Sequence, residues 1–370
     1  MNDVLFLFLS LSVSGSIIAL ILLALKSLIK DRLSQTWQYY IWLIVILRFL
    51  LPFTPEVSIV GEAARHIENR ILNVTALDVL PTANIMSPTF GNVPDIGQQD
   101  LYTQYRPIPG ITQNNMVQEN IAHEDILQPT ANITRNYLAI VLSYAWLLWL
   151  VVALALLSYK ITSYRNFVRF VKGRAQKVTN THVLDIYKVE LAAANIKRKL
   201  PLRVNDWVSS PMLVGIFRPT LVLPTVKVSD NELKHTFQHE LIHHKRFDFA
   251  YKWIVQITKC LHWFNPLMYV ICKQIDKSCE LSCDEMVIRN LDESGRGSYG
   301  DALVASLKSQ SNYSGFMVSM TMSEDVKIIK ERLDMIMKFK KKSKFAVVCA
   351  VLLAVALSVG AGVTGTYVLD

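Results

Sequence analysis

Two histidines four residues apart, with a glutamate directly after the first, occur in the stretch "FQHELIHHKRFDF" at residues 237–249. In an α-helix, residues four apart lie on one face, so His239 and His243 can bind the same ion. Zinc accepts imidazole nitrogens at about 2.0–2.1 Å and favours four ligands. Glu240 is rotated by roughly 100° from His239, which brings its carboxylate within reach of a metal-bound water but not of the ion. The spacing predicts two zinc ligands and a general base.

A third ligand is available in the stretch "CELSCDE" at residues 279–285, on a predicted helix that begins after the tripeptide "FNP". Glu280 in this stretch is followed four residues later by Asp284. A glutamate ligand from a second helix, with an aspartate one turn further on, is the arrangement of gluzincins, where the aspartate orients a ligating histidine from behind. We therefore predict that Glu280 completes a zinc site with the two histidines and that Asp284 is the orienting carboxylate.

Other side chains near these motifs keep alternative interpretations open. Cys279 and Cys283 share one helix face, turned by about 100° from Glu280, and could act as thiolate ligands. Small buried packing residues are the favoured interpretation of both cysteines. A polar surface helix that happens to contain histidines is the alternative to the metal site as a whole. The remaining nearby histidines are interpreted as surface or capping residues: His235, His244 and His262. His262 is also a candidate for transition-state stabilisation.

The composition of the 370-residue chain indicates a membrane protein, because 51% of its residues are hydrophobic and they are concentrated in long runs. Crossing a bilayer takes about 20 apolar residues. Candidate spans cover residues 4–25, 39–58, 137–160 and 345–370. The first run could instead be a signal peptide, but it lacks a basic start and is long for the apolar core of one, which favours a retained span. None of the five cysteines lies in residues 61–136, which argues against a disulfide-stapled outer segment.

The basic residues orient these spans, because cytoplasmic loops carry an excess of Lys and Arg. They cluster after the first and third runs and, as "KFKKKSK" at residues 338–344, before the fourth. Residues 61–136 instead have eight acidic residues and four arginines, and their Pro, Gln and Asn content predicts a largely irregular extracellular segment. Both termini are therefore expected outside the cell and residues 161–344 in the cytoplasm. Membrane orientation also explains the net charge of +9 better than nucleic-acid binding does.

Local patterns within residues 161–344 predict an α+β domain. Helical spacing covers residues 184–199. Residues 202–224 are rich in β-branched side chains and broken by Pro and Gly, which predicts two or three short strands. Ser229 and Glu232 form a capping-box pattern, which begins the helix that carries the HExxH motif.

The apolar stretch at residues 251–264 could be a fifth span. A crossing there would put His239 and Glu280 on opposite sides of the membrane, so we expect a helix that is buried in the fold or lies against the bilayer. This brings the metal site close to the inner membrane surface. Within the second candidate span, Arg48 is costly in lipid and is expected to face the helix bundle or to snorkel towards an interface. The predicted fold class is a multi-span α-helical membrane protein with a cytoplasmic α+β gluzincin zinc metallopeptidase domain.

Four motifs that follow one another in this chain resemble those of the BlaR/MecR-type antirepressor metallopeptidases: "SPMLVGIFRPTLVLP" from residue 210, "HELIHHKRFD" from residue 239, "HWFNP" from residue 262 and "ELSCDE" from residue 280. The resemblance covers nearly the whole chain, including the order of the spans. It implies a membrane-embedded gluzincin whose zinc ligands are His239, His243 and Glu280. Glu240 matches the catalytic glutamate, and Arg246 and Asp248 match an Arg-x-Asp pair that we interpret as structural.

In the signalling members of this type, an external β-lactam acylates a penicillin-binding sensor domain after the last span. The protease then cuts itself, and a transcriptional repressor is inactivated. Very few residues follow the fourth predicted span here, so we expect no sensor domain, and we expect input through residues 61–136 or through a separate sensor protein. We predict an integral membrane zinc metalloendopeptidase that signals through self-cleavage in residues 308–322 and inactivation of a repressor.

Two other function classes are kept as alternatives. A membrane quality-control protease with the same motifs would cut many misfolded substrates. A non-catalytic signalling scaffold would not need the base that Glu240 provides. The expected partners are a cytoplasmic transcriptional repressor or another protein substrate, a separate sensor protein, membrane lipid and a second copy of the chain in a homodimer. Direct nucleic-acid binding is not expected, because no helix-turn-helix pattern accompanies the basic charge.

Overall fold

The computed structural model describes residues 2–30, 32–52, 116–198, 200–224, 229–311 and 322–340, together with residues 352, 355, 356 and 360. The described chain is mostly helical, with one small mixed sheet. Its elements in chain order are α1 (Asn2–Lys30), α2 (Gln35–Leu50), α3 (Met116–Arg174), β1 (Gln176–Lys177), α4 (Thr181–Ala193), β2 (Leu202–Val204), β3 (Met212–Val214), β4 (Thr220–Leu223), α5 (Asp230–Lys245), α6 (Asp248–Leu261), α7 (Pro266–Ile288), α8 (Glu293–Ser311) and α9 (Met322–Met337).

Two of the described helices are long and apolar enough to cross a membrane, by length and composition. These are α1 over Val4–Lys26 and α3 over Tyr144–Arg174. The second predicted span, residues 39–58, is represented by α2, whose 16 residues extend over about 24 Å. Most of that span's remainder and nearly all of the fourth predicted span lie outside the described residues, as does most of the predicted self-cleavage segment at residues 308–322.

Helix α3 departs from the expectation for its N-terminal part. It begins at Met116, whereas residues 61–136 were expected to be largely irregular. The sequence from Met116 contains many good helix formers, such as Gln, Glu, Ala and Leu. Because it extends an apolar helix that is already formed, it needs no nucleation of its own. Residues 61–115 lie outside the described part of the chain.

Polar contacts join α1 to its neighbours within an otherwise apolar bundle. Arg48 on α2 is 4% exposed, and its Nε donates to Ser14 Oγ at 2.7 Å. It therefore faces the bundle and does not snorkel. Asn265, which precedes α7, donates from Nδ2 to Ser12 Oγ and Ser16 Oγ, both at 2.8 Å. The serine-rich face of α1 thus satisfies the buried polar groups of two other helices.

The sheet has the strand order β1-β2-β4-β3. β2 and β4 run parallel, while β1 and β3 are antiparallel to their neighbours. The prediction of two or three short strands in residues 202–224 is confirmed by β2, β3 and β4. Every residue of the central strand β4 is buried. Leu221 and Leu223 pack against α4 and α5, while Val222 packs with Val171 of α3. Strand β3 forms an edge of the sheet.

Helices α5 and α7 begin where their capping residues predict. Ser229 Oγ accepts from the Glu232 backbone N–H, and the Glu232 carboxylate accepts from the Ser229 N–H, so the capping box is formed. Asn265 caps α7, with Pro266 in its first turn. The two helices therefore have fixed starting points, which sets the faces on which their later side chains lie.

Helix α6 follows α5 after a tight turn in which Phe247 adopts the left-handed conformation, with φ of 57°. Tyr251 and Val255 on α6 are buried, while Ile254 and Ile257 are each 38% exposed. As expected, the stretch at residues 251–264 is a helix that packs into the fold, and it is not among the described helices that could cross a membrane. The turn places the last residues of α5 next to the first residues of α6.

We predict that Gly15→Ala destabilises the α1–α2 pair. A Cβ at Gly15 would lie 2.6 Å from the ring of Phe49, which is fully buried, so the two helices would have to separate. Such overpacking costs about 1–3 kcal/mol. Gly173→Ala on α3 is the matched control, because nothing lies within 4 Å of its added Cβ. The melting temperature of the full chain in detergent should fall for Gly15→Ala and not for Gly173→Ala. Equal melting temperatures for the two variants would contradict this packing.

Candidate metal centre

Three side chains from α5 and α7 point their ligand atoms at one another. Those of His239, His243 and Glu280 all lie within 4.8 Å. The two histidine Nε2 atoms are 3.1 Å apart, and the Glu280 oxygens lie 3.4 Å from His239 Nε2 and 3.7 Å from His243 Nε2. Ligands bound tetrahedrally at about 2.0–2.1 Å lie about 3.3 Å from one another. The donor set and its spacing therefore fit a zinc ion.

The orientation of α5 explains why its two histidines face α7. Phe237 and Leu241 are also four residues apart, and both are buried in the core between α5 and the sheet. His239 and His243 each follow one of them by two positions, which is a rotation of about 200°. Burial of the apolar face of α5 against the sheet thus turns the histidines away from it, towards Glu280.

His239 is held from behind by a buried polar relay. Its Nδ1 donates to the Tyr299 oxygen at 2.9 Å, and the Tyr299 hydroxyl donates to Asp284 Oδ1 at 2.6 Å. Asp284 is fully buried, and Arg332 grips it through Nε and Nη2 at 2.6 and 2.7 Å. These contacts fix the proton on Nδ1 and leave the Nε2 lone pair directed towards the other ligand atoms.

His243 is held by a second carboxylate with its own arginine. Its Nδ1 donates to Asp248 Oδ2 at 2.7 Å. Arg246 donates to the same carboxylate from Nε at 3.1 Å and from Nη2 at 2.7 Å, and the Tyr39 hydroxyl donates to Oδ1 at 3.1 Å. The Arg-x-Asp pair is therefore more than a structural contact, because its carboxylate orients one of the predicted zinc ligands.

The charges around Glu280 favour its carboxylate form. Burial alone would raise the pKa of Glu280, but its cationic and histidine neighbours hold this pKa well below its usual range; in order of effect they are His239, His243, Arg332 and Lys252. Arg332 Nη1 lies 3.6 Å from Oε2 and Lys252 Nζ lies 3.7 Å from Oε1. Burial likewise opposes ionisation of Asp284, yet Arg332 keeps the pKa of Asp284 below its usual value. Both acidic groups are thus negatively charged, as a cation ligand and its support require.

Glu240 lies beside this cluster, on the wall of a cavity of about 350 Å³. Burial raises the pKa of Glu240 above its usual value, although the neighbouring His243 and His239 oppose the shift. A carboxylate with a raised pKa is better suited to accept a proton near neutral pH. The edge strand β3 contributes Met212 and Leu213 to the wall of the same cavity.

His262 and His235 occupy positions that differ from the sequence-based expectations. His262 is fully buried at the end of α6, and its Nε2 bonds to the Phe49 backbone oxygen at 3.1 Å. It does not line the cavity, so transition-state stabilisation by His262 has no geometric basis, although its expected capping position is correct. His235 does line the cavity, 6% exposed and edge-on to Tyr299, so its interpretation as a surface or capping residue is wrong. His244 is half-buried near the end of α5.

Cys279 and Cys283 are fully buried behind His243 and do not line the cavity. Their Sγ atoms lie 3.8 and 3.2 Å from His243 Nδ1. With His243 and Asp248 they form a second group whose ligand atoms lie within 4.8 Å of one another. A cation there would need Asp248 Oδ2, the oxygen that already accepts from Arg246 Nη2 and from His243 Nδ1. The geometry thus favours packing for the cysteines and the cavity-facing group for the metal.

Four residues of this centre have no counterpart in the sequence motifs: Tyr39, Lys252, Tyr299 and Arg332. Lys252 is one of two lysines in the mostly apolar stretch of residues 251–264, and this charge was the one signal that could have marked it. Arg332 and Tyr299 reach the site from α9 and α8, far along the chain from the HExxH motif. Their contributions depend on how these helices pack, which no local pattern encodes.

Comparison with known proteins gives one family for nearly the whole chain. The model of the family described as BlaR1 peptidase M56 matches residues 6–336. The regulatory protein BlaR1 of Bacillus licheniformis is 27% identical over 205 residues, which cover 53% of this chain and 34% of that protein. The methicillin resistance mecR1 protein of Staphylococcus aureus is 25% identical over 311 residues, which cover 82% of this chain and 47% of that protein. The chain thus spans less than half the length of these relatives, and it belongs to the BlaR1 peptidase M56 family.

Proposed function

We propose that this protein is an integral membrane zinc endopeptidase that transmits a signal by cutting proteins in the cytoplasm. The proposal rests on the two histidines whose ligand atoms lie close to those of Glu280. Behind each histidine lies a carboxylate that is ion-paired with an arginine. In this proposal His239, His243 and Glu280 bind zinc, and Asp284 and Asp248 orient the two histidines. Glu240, beside the ligands in the same cavity, is the general base.

The proposed mechanism is hydrolysis of a peptide bond. Bound zinc would lower the pKa of a water molecule and polarise the scissile carbonyl. Glu240 takes a proton from the attacking water and passes it to the leaving amine. Edge strand β3, whose outer side has no partner strand among the described residues, binds the substrate in an extended conformation by adding it to the sheet. Met212 and Leu213 on this strand then bring the scissile bond to the cavity.

The proposed setting is a multi-span membrane protein with both termini outside and the peptidase domain in the cytoplasm. The charge asymmetry of the sequence and the two long apolar helices support this arrangement. The names of the relatives, a regulatory protein and a methicillin resistance protein, support a role in signalling. We propose self-cleavage in residues 308–322 and inactivation of a transcriptional repressor as the output, with input from residues 61–136 or from a separate sensor protein.

The first prediction separates the ligand from the base. Glu280→Ala removes one of three protein ligands, so zinc per purified chain should fall together with activity. Glu240→Gln keeps all three ligands, so zinc should stay bound while cleavage falls by about 10²–10⁴-fold. Zinc content is measured for each variant, and cleavage is followed by mass spectrometry of residues 308–322 and of cellular proteins after expression. A Glu280→Ala chain with full zinc, or a Glu240→Gln chain with full cleavage, would contradict the proposal.

A second prediction concerns the carboxylate behind His239. Asp284→Asn weakens the acceptor that fixes the histidine tautomer, so zinc affinity should fall by about 10–100-fold. Asp292→Asn is the control, because Asp292 is exposed and its carboxylate accepts only from the nearby Gly295 N–H among the described residues. Competition with a coloured chelator gives the affinities, and thermal unfolding confirms that both variants fold. Equal affinities for the two variants would argue against the orienting role.

A third prediction concerns topology. Single cysteines introduced at residues 100 and 180, in a chain without its native cysteines, should react with a membrane-impermeant reagent from opposite sides. The positive-inside rule places position 100 outside and position 180 inside. The readout is labelling in intact cells compared with labelling in permeabilised cells. Labelling of both positions only after permeabilisation would contradict the proposed orientation.

A further inference from the structure

The first turn of α2 is fixed to α7 directly behind the metal centre. Glu285 Oε2 accepts from both the backbone N–H and the hydroxyl of Thr36, each at 2.9 Å. Ser282 on the same helix donates to Thr36 Oγ1 at 3.4 Å. Because Ser282 and Glu285 flank Asp284, the start of α2 has a defined register against the helix that carries Glu280.

Tyr39 lies about one turn further along α2 and reaches into the centre. It is 1% exposed, and its hydroxyl donates to Asp248 Oδ1 at 3.1 Å. The guanidinium of Arg246 lies over its ring, 4.7 Å from the centroid. The ring of Tyr251 packs edge-to-face with it, with the two centroids 5.1 Å apart. The ring is thus held by packing, and its hydroxyl has one defined position.

The bonds around Asp248 show what this hydroxyl adds. Oδ2 accepts from His243 Nδ1 and Arg246 Nη2, each at 2.7 Å, and more weakly from the thiols of Cys279 and Cys283 on α7, at 3.4 and 3.6 Å. Oδ1 accepts from Arg246 Nε and the Tyr39 hydroxyl, each at 3.1 Å. Arg246 and Asp248 belong to the same tight turn, and Arg246 Nη1 also donates to Ser282 Oγ on α7 at 2.7 Å. Of the described residues, Tyr39 is the one outside the turn that hydrogen-bonds to Oδ1. It ties this oxygen to α2.

We propose that Tyr39 is a positioning residue of the metal centre. Its hydroxyl, delivered by α2, holds Asp248 in the rotation that keeps His243 Nε2 directed at the ion. The inference rests on the proposed function, in which His243 is a zinc ligand. It makes α2, which lies in the second predicted membrane span, part of the zinc site. A shift of α2 along α7 would therefore change zinc affinity without any change in the ligands themselves.

The test uses the full chain in lipid nanodiscs and measures zinc affinity by competition with a coloured chelator. Tyr39→Phe keeps the ring and removes only the hydroxyl, so zinc affinity should fall by about three- to tenfold. Residues that hydrogen-bond to a metal ligand typically contribute about 10–100-fold, and Tyr39 contacts the ligand only through Asp248. Tyr251→Phe is the matched control, because the Tyr251 hydroxyl is buried without a hydrogen-bond partner among the described residues. Tyr40→Phe, at a 41% exposed position on α2, is a second control. Both controls should keep the affinity of the unchanged chain.

Two further measurements separate positioning from general structural support. In a chain that already carries Asp248→Asn, Tyr39→Phe should cause no additional loss of affinity, because its effect passes through that carboxylate. With excess chelator present, Tyr39→Phe should still fold, with a lower melting temperature because one hydrogen bond to a buried carboxylate is lost. A lower melting temperature with unchanged zinc affinity would assign Tyr39 a purely structural role and overturn the proposal.

The outcomes also distinguish this inference from the proposed function. If Asp248→Asn weakens zinc binding and Tyr39→Phe does not, the positioning role is wrong and the zinc peptidase stands. A further loss caused by Tyr39→Phe in the Asp248→Asn chain would likewise overturn the inference, because the hydroxyl would act elsewhere. If His243→Ala keeps the full affinity of the unchanged chain, the proposed zinc site itself is wrong.

Discussion

The architecture of the site depends on two buried ion pairs, one behind each histidine. A buried carboxylate is stable only when it is paired and hydrogen-bonded, and Asp284 and Asp248 meet that condition through two contacts each from Arg332 and Arg246. Removing one partner of such a pair costs roughly 3–5 kcal/mol, since the other charge stays buried. The two ion pairs therefore fix the orientation of the imidazole rings. They also require the surrounding helices to pack so that each carboxylate meets its arginine.

This requirement explains why so many elements meet at one small cavity. Arg332 is supplied by α9 and Tyr299 by α8, while Tyr39 of α2 bonds to Asp248 behind His243. Helices α5 and α7 provide the groups that face Glu240 and the cavity. The site is thus assembled across nearly the whole described chain, which agrees with a family match that runs from residue 6 to residue 336. Displacement of a helix in the bundle would therefore move these carboxylates and change the orientation of the histidines.

Local patterns in the sequence predicted the parts of this arrangement that depend on short spacing. The HExxH spacing and the Ser229–Glu232 capping box follow from interactions within a few residues, and the strands of residues 202–224 follow from local composition. The structure contains each of them. The arginine that pairs with Asp284 could not be predicted, because that pairing spans 48 residues and depends on how α9 packs. Likewise, the sequence shows Tyr39 only as one more aromatic residue in an apolar run. Its hydrogen bond to Asp248 joins residues 209 positions apart.

His262 failed as a site candidate for a related reason. Its nearness in sequence to the zinc motifs suggested a role in the cavity, but the end of α6 turns it towards Phe49 and the α1–α2 bundle. The cysteines are the opposite case: their helical face was predicted correctly, and only the structure shows Arg246 bound to the carboxylate that would have to join them around a cation. Spacing along a helix predicts on which face a side chain lies, whereas the element that this face contacts is determined by the tertiary fold.

The most direct measurement of the central claim is X-ray absorption at the zinc edge of the purified full chain. Ligation by two histidines and a glutamate predicts only nitrogen and oxygen neighbours, at about 2.0–2.2 Å. A sulfur shell at about 2.3 Å would show thiolate ligation by Cys279 or Cys283 and would contradict the assignment of the cavity-facing group as the metal site.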